Sequence, residues 1–352
     1  MPRGDKFRCY NHLVTLDRYS RQILFSGIGE AGQHKLGQSS LVIVGCGALG
    51  SVSAEMFTRA GVSRITLIDR DFVEPSNLQR QSLFTESDAQ QGLPKAECAR
   101  RMLERINSAV QITSHVTDLN YRNTDLLAKH DVLIDGTDNF STRYLLNDYA
   151  WQHGIPWSYA GCLSSHGMSF LFRPGKTPCL RCLISEAPAP GTLDTCDTAG
   201  IIGPAVHAVA AFQVTQVLKL LVGRELEPRI FQFDVWDDQW RTIQVSAPPD
   251  PDCDCCAKKE FVFLRSGENE DRVTSLCGRD AVQIIPAGSH QMNLEDMARR
   301  LAAAARIIRN DYLLRIFLPD QEITLFQDGR AIIKGTDDPV VARSLYDRYV
   351  GR

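Results

Sequence analysis

The 352-residue sequence lacks a dominant charge of either sign, because 39 Lys and Arg residues face 42 Asp and Glu residues, for a net charge of −3. No basic field would attract a nucleic-acid backbone, so we expect no nucleic-acid partner. It also lacks an apolar run near the ~18 residues of a membrane span. Residues 1–11 are polar and mixed in charge, without signal-peptide character. We therefore expect a cytoplasmic protein that has no membrane partner.

Internal repeats and low-complexity tracts are absent too, which argues against a repeat architecture. The eight histidines show no metal-ligand spacing. Cysteine, by contrast, is plentiful at eleven residues. An oxidised, secreted scaffold would explain that number, but the length and the α/β pattern argue against it. Cysteines in a cytosolic enzyme of this size are more often metal ligands or reactive thiols.

Hydrophobic residues make up 43% of the chain and charged residues 23%, as in ordinary globular proteins. Alternating predicted strands and helices indicate a Rossmann-like, doubly wound, mainly parallel sheet. From Gly167 the pattern changes to short strands around one very apolar helix, predicted over residues 205–221. Because that helix is apolar nearly all round, we expect it in the core or in a subunit interface.

The chain divides into three predicted segments: an N-terminal arm (1–16), an α/β domain with a mixed β region (17–257) and a small α+β domain (258–352). The run Pro248-Pro-Asp-Pro251 marks the second boundary. Helices are predicted over residues 124–129 and 294–308. Asp328-Gly329 predicts a hairpin turn in the last segment.

A glycine-rich stretch is the strongest local pattern. A predicted buried strand leads into the spacing G-x-G-x-x-G at Gly45, Gly47 and Gly50, and a second strand about twenty residues later ends in Asp69. This order is typical of a nucleotide site. Gly45 would permit the tight turn, Gly47 would let backbone approach phosphate, and Gly50 would let helix pack on strand. Asp69 would bind ribose hydroxyls.

A group of cations favours a triphosphate over a dinucleotide. Arg21, Arg80 and Lys95 are ordinary surface residues when taken singly, but with the glycine loop they suggest a polyphosphate clamp. A dehydrogenase can hold pyrophosphate largely with backbone amides, whereas nucleotidyl transfer must stabilise charge on its leaving group. Arg80 lies in the loop 71–81, where Pro75 makes regular structure unfavourable.

The segment Asp135-Gly-Thr-Asp-Asn139 follows a predicted buried strand, which is where open α/β sheets place ligands. Asp138 is suited to Mg²⁺, a cation that one or two carboxylates and phosphate oxygens satisfy. The alternative role is a cap for the helix predicted from Ser141, since Asp and Asn are favoured there. The sequence leaves both roles open.

Two pairs of cysteines predict a zinc site. Cys179-Leu-Arg-Cys182 and Cys253-Asp-Cys-Cys256 supply four thiolates at the spacing of zinc knuckles. Four thiolates leave no open position, so we expect one structural Zn²⁺ that ties the end of the domain to its middle. A disulfide or redox pair is the alternative, and Cys255 is an alternative ligand to Cys256.

Cys196 lies in a predicted crossover loop of about twenty residues, and loops of that length are often functional. Its thiol is a candidate nucleophile. Asp194 and Asp197 would raise the pKa of that thiol and make it less reactive, and no base stands beside it. An inert thiol is therefore the alternative.

Nine motifs in this order resemble those of the ubiquitin-activating-like adenylyltransferases, and most of all the bacterial ThiF/MoeB/HesA group. They are Arg18-Tyr-Ser-Arg-Gln22, Gly45-Cys-Gly-Ala-Leu-Gly50, Asp69, Ser76-Asn-Leu-Gln-Arg-Gln81, Pro94-Lys95, Thr137-Asp-Asn139, Pro178-Cys-Leu-Arg-Cys182, Cys196-Asp-Thr-Ala-Gly200 and Cys253-Asp-Cys-Cys256. The resemblance covers residues 16–257. The segment after Cys256 resembles the C-terminal extension of ThiF-type proteins, which favours thiamin thiazole synthesis over molybdopterin synthesis.

The resemblance implies a reaction in which ATP with Mg²⁺ adenylates the C-terminal glycine of a ubiquitin-like sulfur carrier, ThiS- or MoaD-like and ending in Gly-Gly, and pyrophosphate leaves. It also implies a homodimer in which Arg21 reaches the partner subunit's triphosphate. Cys196 matches a position that forms a covalent link to the carrier in some members.

The resemblance carries site roles onto this chain. Asp69 would hold the ribose, Asn77, Arg80 and Lys95 the phosphates, and Asp138 the Mg²⁺. The implied nucleotide-contacting positions are Gly45, Gly47, Ala48, Gly50, Asp69, Asp71, Ser76, Asn77, Leu78, Gln79, Arg80, Lys95, Asp138 and Asn139. Ala48 departs from the family pattern, in which many relatives have glycine. The four zinc ligands implied are Cys179, Cys182, Cys253 and Cys256.

Three other functions compete. An NAD-dependent dehydrogenase needs only the glycine motif and leaves the cations and cysteine pairs unexplained. MoeB-type activation of a molybdopterin-synthase carrier is the alternative within the family. A non-catalytic, zinc-stapled scaffold that binds a carrier tail is the alternative of a different class. The presence of Arg21, Asp69, Arg80, Lys95 and Asp138 argues against that scaffold.

Overall fold

The computed structural model describes residues 18–186, 199–245, 249–265, 272–276, 280–286, 291–302 and 305–351. Two β-sheets organise them, one of eight strands and one of six. The predicted arm 1–16 and Cys196 lie outside the described residues.

The first sheet is parallel in its first half and antiparallel in its second. Its strands are β1 (Ser40–Val44), β2 (Arg64–Asp69), β3 (Gln111–Val116), β4 (Val132–Asp135), β5 (Trp157–Leu163), β6 (His166–Phe172), β7 (Arg229–Asp234) and β8 (Gln239–Gln244). Their order is β3-β2-β1-β4-β5-β6-β7-β8. Neighbours from β3 to β5 pair in parallel, and neighbours from β5 to β8 pair antiparallel. The predicted Rossmann-like sheet with a mixed β region is confirmed.

Helices cover both faces of this sheet. They are α1 (Ser20–Leu24), α2 (Gly29–Leu36), α3 (Ala48–Ala60), α4 (Glu86–Gln91), α5 (Lys95–Ile106), α6 (Phe140–His153), α7 (Leu180–Leu183) and α8 (Gly203–Leu221). Leu41 and Ile43 of β1 belong to the core under α3, α5 and α8. Val42 and Val44 belong to the core on the opposite face, under α6. This alternation of buried residues on one strand is what a doubly wound sheet requires.

The most apolar helix, α8, packs on α3, β5 and β6. Val206 and Val209 have no exposed surface, so this face of α8 lies in the core, which is one of the two locations predicted for the helix. By length and composition alone, Gly203–Leu221 also qualifies as a membrane-spanning helix. Core helices of globular proteins meet the same criterion, so the criterion is weak evidence for a membrane.

Local structure departs from the predictions in three places of the first domain. The helix predicted over residues 124–129 is a 3₁₀ turn, Thr124–Leu127. The loop after β2 contains another such turn, Pro75–Asn77, which begins with Pro75 itself because proline is tolerated in the first turn of a helix. The helix α4 was not predicted. It begins with a capping box between Thr85 and Asp88. The sequence signature of a capping box has Glu or Gln in the place of Asp88, so this helix start is not recognised from the sequence.

The second sheet is entirely antiparallel. Its strands are β9 (Arg272–Leu276), β10 (Ala281–Ile285), β11 (Arg306–Arg309), β12 (Leu313–Phe317), β13 (Glu322–Phe326) and β14 (Ala331–Lys334), in the order β11-β12-β13-β14-β10-β9. The helices α9 (Leu294–Leu301) and α10 (Pro339–Tyr349) cover one face. Gly329, with φ of +81°, turns β13 into β14 as the hairpin signal predicted.

The helix predicted over residues 294–308 is wrong in its second half. Helix α9 ends at Leu301, and residues 306–309 form the edge strand β11, in which Ile307 pairs with Ile316 of β12. The alanines at 302–305 extend the helical pattern in the sequence but offer little apolar area for packing. The β-branched pair Ile307-Ile308 favours a strand once an adjacent edge is available.

Candidate nucleotide site and cysteine cluster

Three glycines pack together where β1 and β4 end. Gly45 has φ of +87°, a conformation that favours glycine. A Cβ on Gly50 would lie 1.7 Å from the Gly45 carbonyl oxygen, and a Cβ on Gly136 would lie 2.5 Å from the same atom. The close approach brings the start of α3 onto the strand ends at the point where strand order reverses, the usual ligand position in such sheets. Gly136 was not singled out from the sequence; its signal is its place directly after a buried strand.

The second glycine of the motif faces open space. Gly47 precedes the first residue of α3, Ala48. A Cβ on Gly47 would meet nothing closer than the Gln81 Nε2 at 3.8 Å. An anion can therefore approach the backbone at the N-terminus of a 13-residue helix, where N–H groups and the helix dipole favour negative charge.

Asp69 at the end of β2 is held rigidly by backbone. Its Oδ2 accepts a hydrogen bond from the Cys46 N–H at 2.5 Å and its Oδ1 accepts one from the Asp71 N–H at 2.6 Å. Burial raises the pKa of Asp69, while Lys95 and these two N–H groups oppose that rise. Each carboxylate oxygen has capacity for a second hydrogen bond, which suits it to accept from ribose hydroxyls.

A cleft lies next to Asp69, because Asp71, whose N–H binds the Asp69 carboxylate, forms part of its lining. The cleft has a volume of about 210 Å³ and is lined in part by Asp71, Ser76, Asn77, Arg80 and Lys95. Lys95 is buried at the start of α5, with its Nζ 3.2 Å from the Asp71 Oδ2. The Arg80 Nη1 donates to the Ser76 carbonyl oxygen at 2.8 Å. The structure thus brings together five of the predicted nucleotide-contacting residues.

The turn that carries Arg80 has its own internal support. Asn77 is buried, and its Oδ1 accepts from the Glu74 N–H at 3.1 Å in a reciprocal capping box. Leu78 packs against the core under α3 and α5. Gln79 is exposed, and its Nε2 lies 3.4 Å from the Ile201 carbonyl oxygen. Of Asn77, Leu78 and Gln79, Asn77 lines the cleft.

Asn139, and not Asp138, caps α6. The Asn139 Oδ1 accepts from the Thr142 N–H at 2.9 Å, and the helix begins at Phe140 instead of Ser141. The alternative that assigned the cap to Asp138 is therefore wrong. Asp138 lies in the turn between the end of β4 and this cap, at the same end of the sheet as the glycine loop that follows β1.

A buried ion pair shapes that turn. The Asp135 Oδ2 lies 2.9 Å from the Arg143 Nε, and the Asp135 Oδ1 accepts from the Thr137 N–H at 2.9 Å. The Arg143 Nη2 donates to the Thr137 carbonyl oxygen at 2.8 Å. Arg143 thus holds both the strand end and the turn that presents Asp138. The sequence prediction missed Arg143, whose only signal is a cation inside a helix that is buried along most of its length.

Arg21 lies at the opposite end of the domain. It is exposed on α1, and its neighbour Gln22 donates from Nε2 to the Ala60 carbonyl oxygen at 2.9 Å. Ala60 is the last residue of α3, a 13-residue helix whose first residue stands at the glycine loop. At 1.5 Å per residue the two ends are about 18 Å apart. The structure therefore does not bring Arg21 into its own chain's site.

Four cysteines form a compact cluster. Cys179, Cys182, Cys253 and Cys256 place their Sγ atoms within 4.8 Å of one another. The Sγ–Sγ distances are 3.7 Å for Cys179–Cys182, 3.5 Å for Cys179–Cys253 and 3.3 Å for Cys182–Cys256. Tetrahedral zinc with Zn–S bonds of ~2.3 Å separates its sulfurs by about 3.8 Å, so the donor set fits this ion. A disulfide has S–S near ~2.05 Å, and the described cysteines are free.

Cys255 lies beside the cluster and has a different partner. It is buried, and its Sγ accepts from the Asn147 Nδ2 at 3.2 Å. The Asn147 Oδ1 accepts from the Leu180 N–H at 2.8 Å, so this one α6 side chain bridges both cysteine pairs. The compact four-sulfur group contains Cys256 and not Cys255, so the structure favours Cys256 as the fourth ligand.

Three comparisons with known proteins agree. A model described as the ThiF family matches residues 19–255. The chain is 45% identical over 336 residues to the "sulfur carrier protein ThiS adenylyltransferase" of Bacillus subtilis, and the alignment covers 95% of this chain and 99% of that protein. It is 37% identical over 248 residues to the "SAMP-activating enzyme E1" of Haloferax volcanii, and that alignment covers 70% of this chain and 90% of that protein. A crystal structure of E. coli MccB with succinimide matches at a TM-score of 0.59 and 25% identity, over 68% of this chain and 73% of that one.

Proposed function

The chain belongs to the ThiF family, and from that premise we propose that it adenylates the C-terminal glycine of a ubiquitin-like sulfur carrier at the expense of ATP. The observation that carries the proposal is the cleft in which Arg80 and Lys95 meet beside an open glycine-loop backbone. The similarity to a relative named for ThiS extends over both domains, which supports a ThiS-like carrier and thiamin thiazole synthesis.

The reaction needs charge stabilisation more than proton transfer. The carrier's C-terminal carboxylate is already ionised at neutral pH, so it attacks the α-phosphorus without a general base. One P–O bond forms, the bond between the α-phosphorus and the bridging oxygen breaks, and pyrophosphate leaves with the electron pair. Arg80 and Lys95 stabilise the growing negative charge on that leaving group, and Asp69 orients the ribose.

The proposed function includes two metal ions, one at the nucleotide and one in the cysteine cluster. Asp138 would hold Mg²⁺ with phosphate oxygens, and that ion would neutralise phosphate charge. The four clustered cysteines would hold a structural Zn²⁺, since their thiolates fill all four positions.

We further propose a homodimer that shares its active sites. Arg21 is too far from its own glycine loop to touch the nucleotide there, because α1 is anchored at the remote end of α3. A second copy can supply the same side chain to the triphosphate.

The decisive experiment is adenylation of a carrier that ends in Gly-Gly. We expect the purified protein with Mg-ATP to give an acyl-adenylate, seen by intact mass, and carrier-dependent exchange of labelled pyrophosphate into ATP. A carrier without its last glycine is the control and should give neither. Absence of both signals with ThiS-like and MoaD-like carriers would reject the function. Activity on a MoaD-like carrier alone would reject the thiazole assignment.

A further inference from the structure

The second sheet forms one wall of the nucleotide-site cleft. Besides the residues of the first domain, the cleft is lined by Leu276, Ala281, Ile332 and Lys334, from β9, β10 and β14. Phe72, which follows β2, is 5% exposed and packs in one apolar cluster with Ala281 and Ile332. The C-terminal domain therefore touches the loop that carries the phosphate-binding residues.

Polar contacts hold this wall in place. The buried Arg330 donates from Nη2 to the Arg70 carbonyl oxygen at 2.7 Å. Asn310 donates from Nδ2 to the Gly92 carbonyl oxygen at 3.1 Å. The Lys334 ammonium is paired with the Glu74 carboxylate. Three separate points of attachment make the cleft a built feature of the chain.

The cleft contains three cations and two carboxylates. Lys95 lies against Asp71 and Lys334 against Glu74, whereas Arg80 donates to a backbone carbonyl. Positive charge is therefore in excess by one. The ammonium of Lys334 has three donors, and its side chain is 32% exposed, so it can donate to a ligand while it keeps Glu74.

The size of the cleft selects part of a nucleotide. A volume of about 210 Å³ lies below the ~300–1,000 Å³ of pockets that hold drug-sized ligands. It suits a compact anion such as a pyrophosphate group, with the rest of the nucleotide over the glycine loop. Apolar side chains on one wall, including Phe72 and Ile332, exclude water and strengthen the charge interactions.

We propose that Lys334 of the C-terminal domain donates to the pyrophosphate end of ATP, so that this domain completes the catalytic site. The inference rests on the proposed function, because it assumes that Arg80 and Lys95 bind the same phosphates. It assigns a direct role to a domain for which the sequence offered none.

Direct binding of Mg-pyrophosphate, measured by calorimetry, tests the proposal. Lys334→Gln should weaken pyrophosphate binding about tenfold, the loss expected for one hydrogen bond to a charged group. Lys334→Arg should restore most of it. Arg309→Gln, which removes an exposed cation at the edge of the same sheet, should leave it unchanged. Binding of AMP, which lacks the pyrophosphate end, should be the same in all four proteins.

A second variant separates contact with phosphate from mere support of the loop. Glu74→Gln removes the ion pair but keeps an oxygen that can cap the Pro75–Asn77 turn. If Lys334 touches phosphate, releasing it from Glu74 should leave pyrophosphate binding equal or tighter. If Lys334 acts only by fastening Glu74, both variants should weaken binding alike, and that result would overturn the proposal.

The KM for ATP in carrier-dependent exchange provides the second readout. Lys334→Gln should raise it about tenfold, as expected for one lost charged hydrogen bond, with an unchanged melting temperature. Unchanged pyrophosphate binding and KM in Lys334→Gln, alongside strong loss in Arg80→Ala, would refute the role of Lys334 while the function stands. Wild-type protein that binds pyrophosphate but adenylates no carrier would refute the function instead.

Discussion

Arg80 and Lys95 are the residues whose loss tests the charge-stabilisation mechanism most directly. Removal of one preorganised electrostatic donor from an active site typically costs ~2.7–4 kcal/mol in the transition state. We expect Arg80→Ala or Lys95→Ala to lower carrier-dependent ATP–pyrophosphate exchange about 100-fold or more. Arg100→Ala is a control on α5, because Arg100 pairs with Glu97 and Glu104 outside the cleft. Exchange within a few-fold of wild type would remove Arg80 or Lys95 from the site.

Two glycines of the loop should respond to alanine in different ways. Gly50→Ala places a methyl group 1.7 Å from a backbone oxygen, so we expect destabilisation of at least ~1–3 kcal/mol and a lower melting temperature. Gly47→Ala meets no atom within 3.4 Å and should melt normally but bind ATP more weakly, because its methyl would occupy the space proposed for the phosphate. Thermal melting and nucleotide titration together check the pair. Equal melting temperatures for both variants would contradict this packing.

Prediction at the residue scale succeeded where a short motif carries the chemistry. Gly45 and Asp69 were assigned from the spacing of the glycine motif, and Lys95 from the group of cations and the family resemblance; the structure places Lys95 close to Asp69, which binds the glycine loop. Spacing did not reveal Gly136 or Arg143, since each matters only through a partner on another element. Roles toward the nucleotide stay predictions for all of these residues.

The cysteine pairs act at the scale of elements. Structural zinc sites have apparent binding energies of ~10–16 kcal/mol, comparable with the net stability of a whole domain. We expect about one zinc per chain, and a large drop in melting temperature with a strong chelator or with Cys182→Ser. Cys98→Ala is the control, because burial raises the pKa of that α5 thiol to about 12 and it lies outside the cluster. Zinc-free protein with an unchanged melting curve would rule out the metal.

Elements with a strong period were predicted well, and marginal ones were not. The helix predicted over residues 205–221 is observed as Gly203–Leu221, and the strand predicted to end in Asp69 is observed as Arg64–Asp69. The sequence did not predict the strand β11, because the alanines before it continue a helical pattern. Residues 306–309 form a strand because they pair with β12. The prediction of an α-helix at the 3₁₀ turn Thr124–Leu127 was wrong, because the period of four residues does not distinguish such a turn from a short α-helix.

At the scale of the whole molecule, the position of Arg21 predicts complementation between subunits. Arg21→Ala and Lys95→Ala should each be nearly inactive. In a randomly mixed dimer population, half of the dimers are hybrids, and one of their two sites keeps both residues if Arg21 acts in trans. Mixing and reassociation should therefore restore about a quarter of wild-type exchange. No recovery, with hybrids verified by mass, would contradict the shared site.

The sequence by itself determined which residues could do the chemistry and in what order they occur, because short motifs and local periods need only near neighbours. It determined the parallel sheet, the glycine loop and the four-thiolate cluster in this way. Only the tertiary structure decided that Asn139 takes the cap, that Arg143 holds the turn of Asp138, and that Lys334 meets Glu74 across 260 residues of sequence. The Lys334–Glu74 contact depends on how the two sheets pack, so the local pattern at either residue does not predict the other. The Asn139 cap and the Arg143 contacts depend on how α6 begins beside the end of β4, which the residue types alone do not decide.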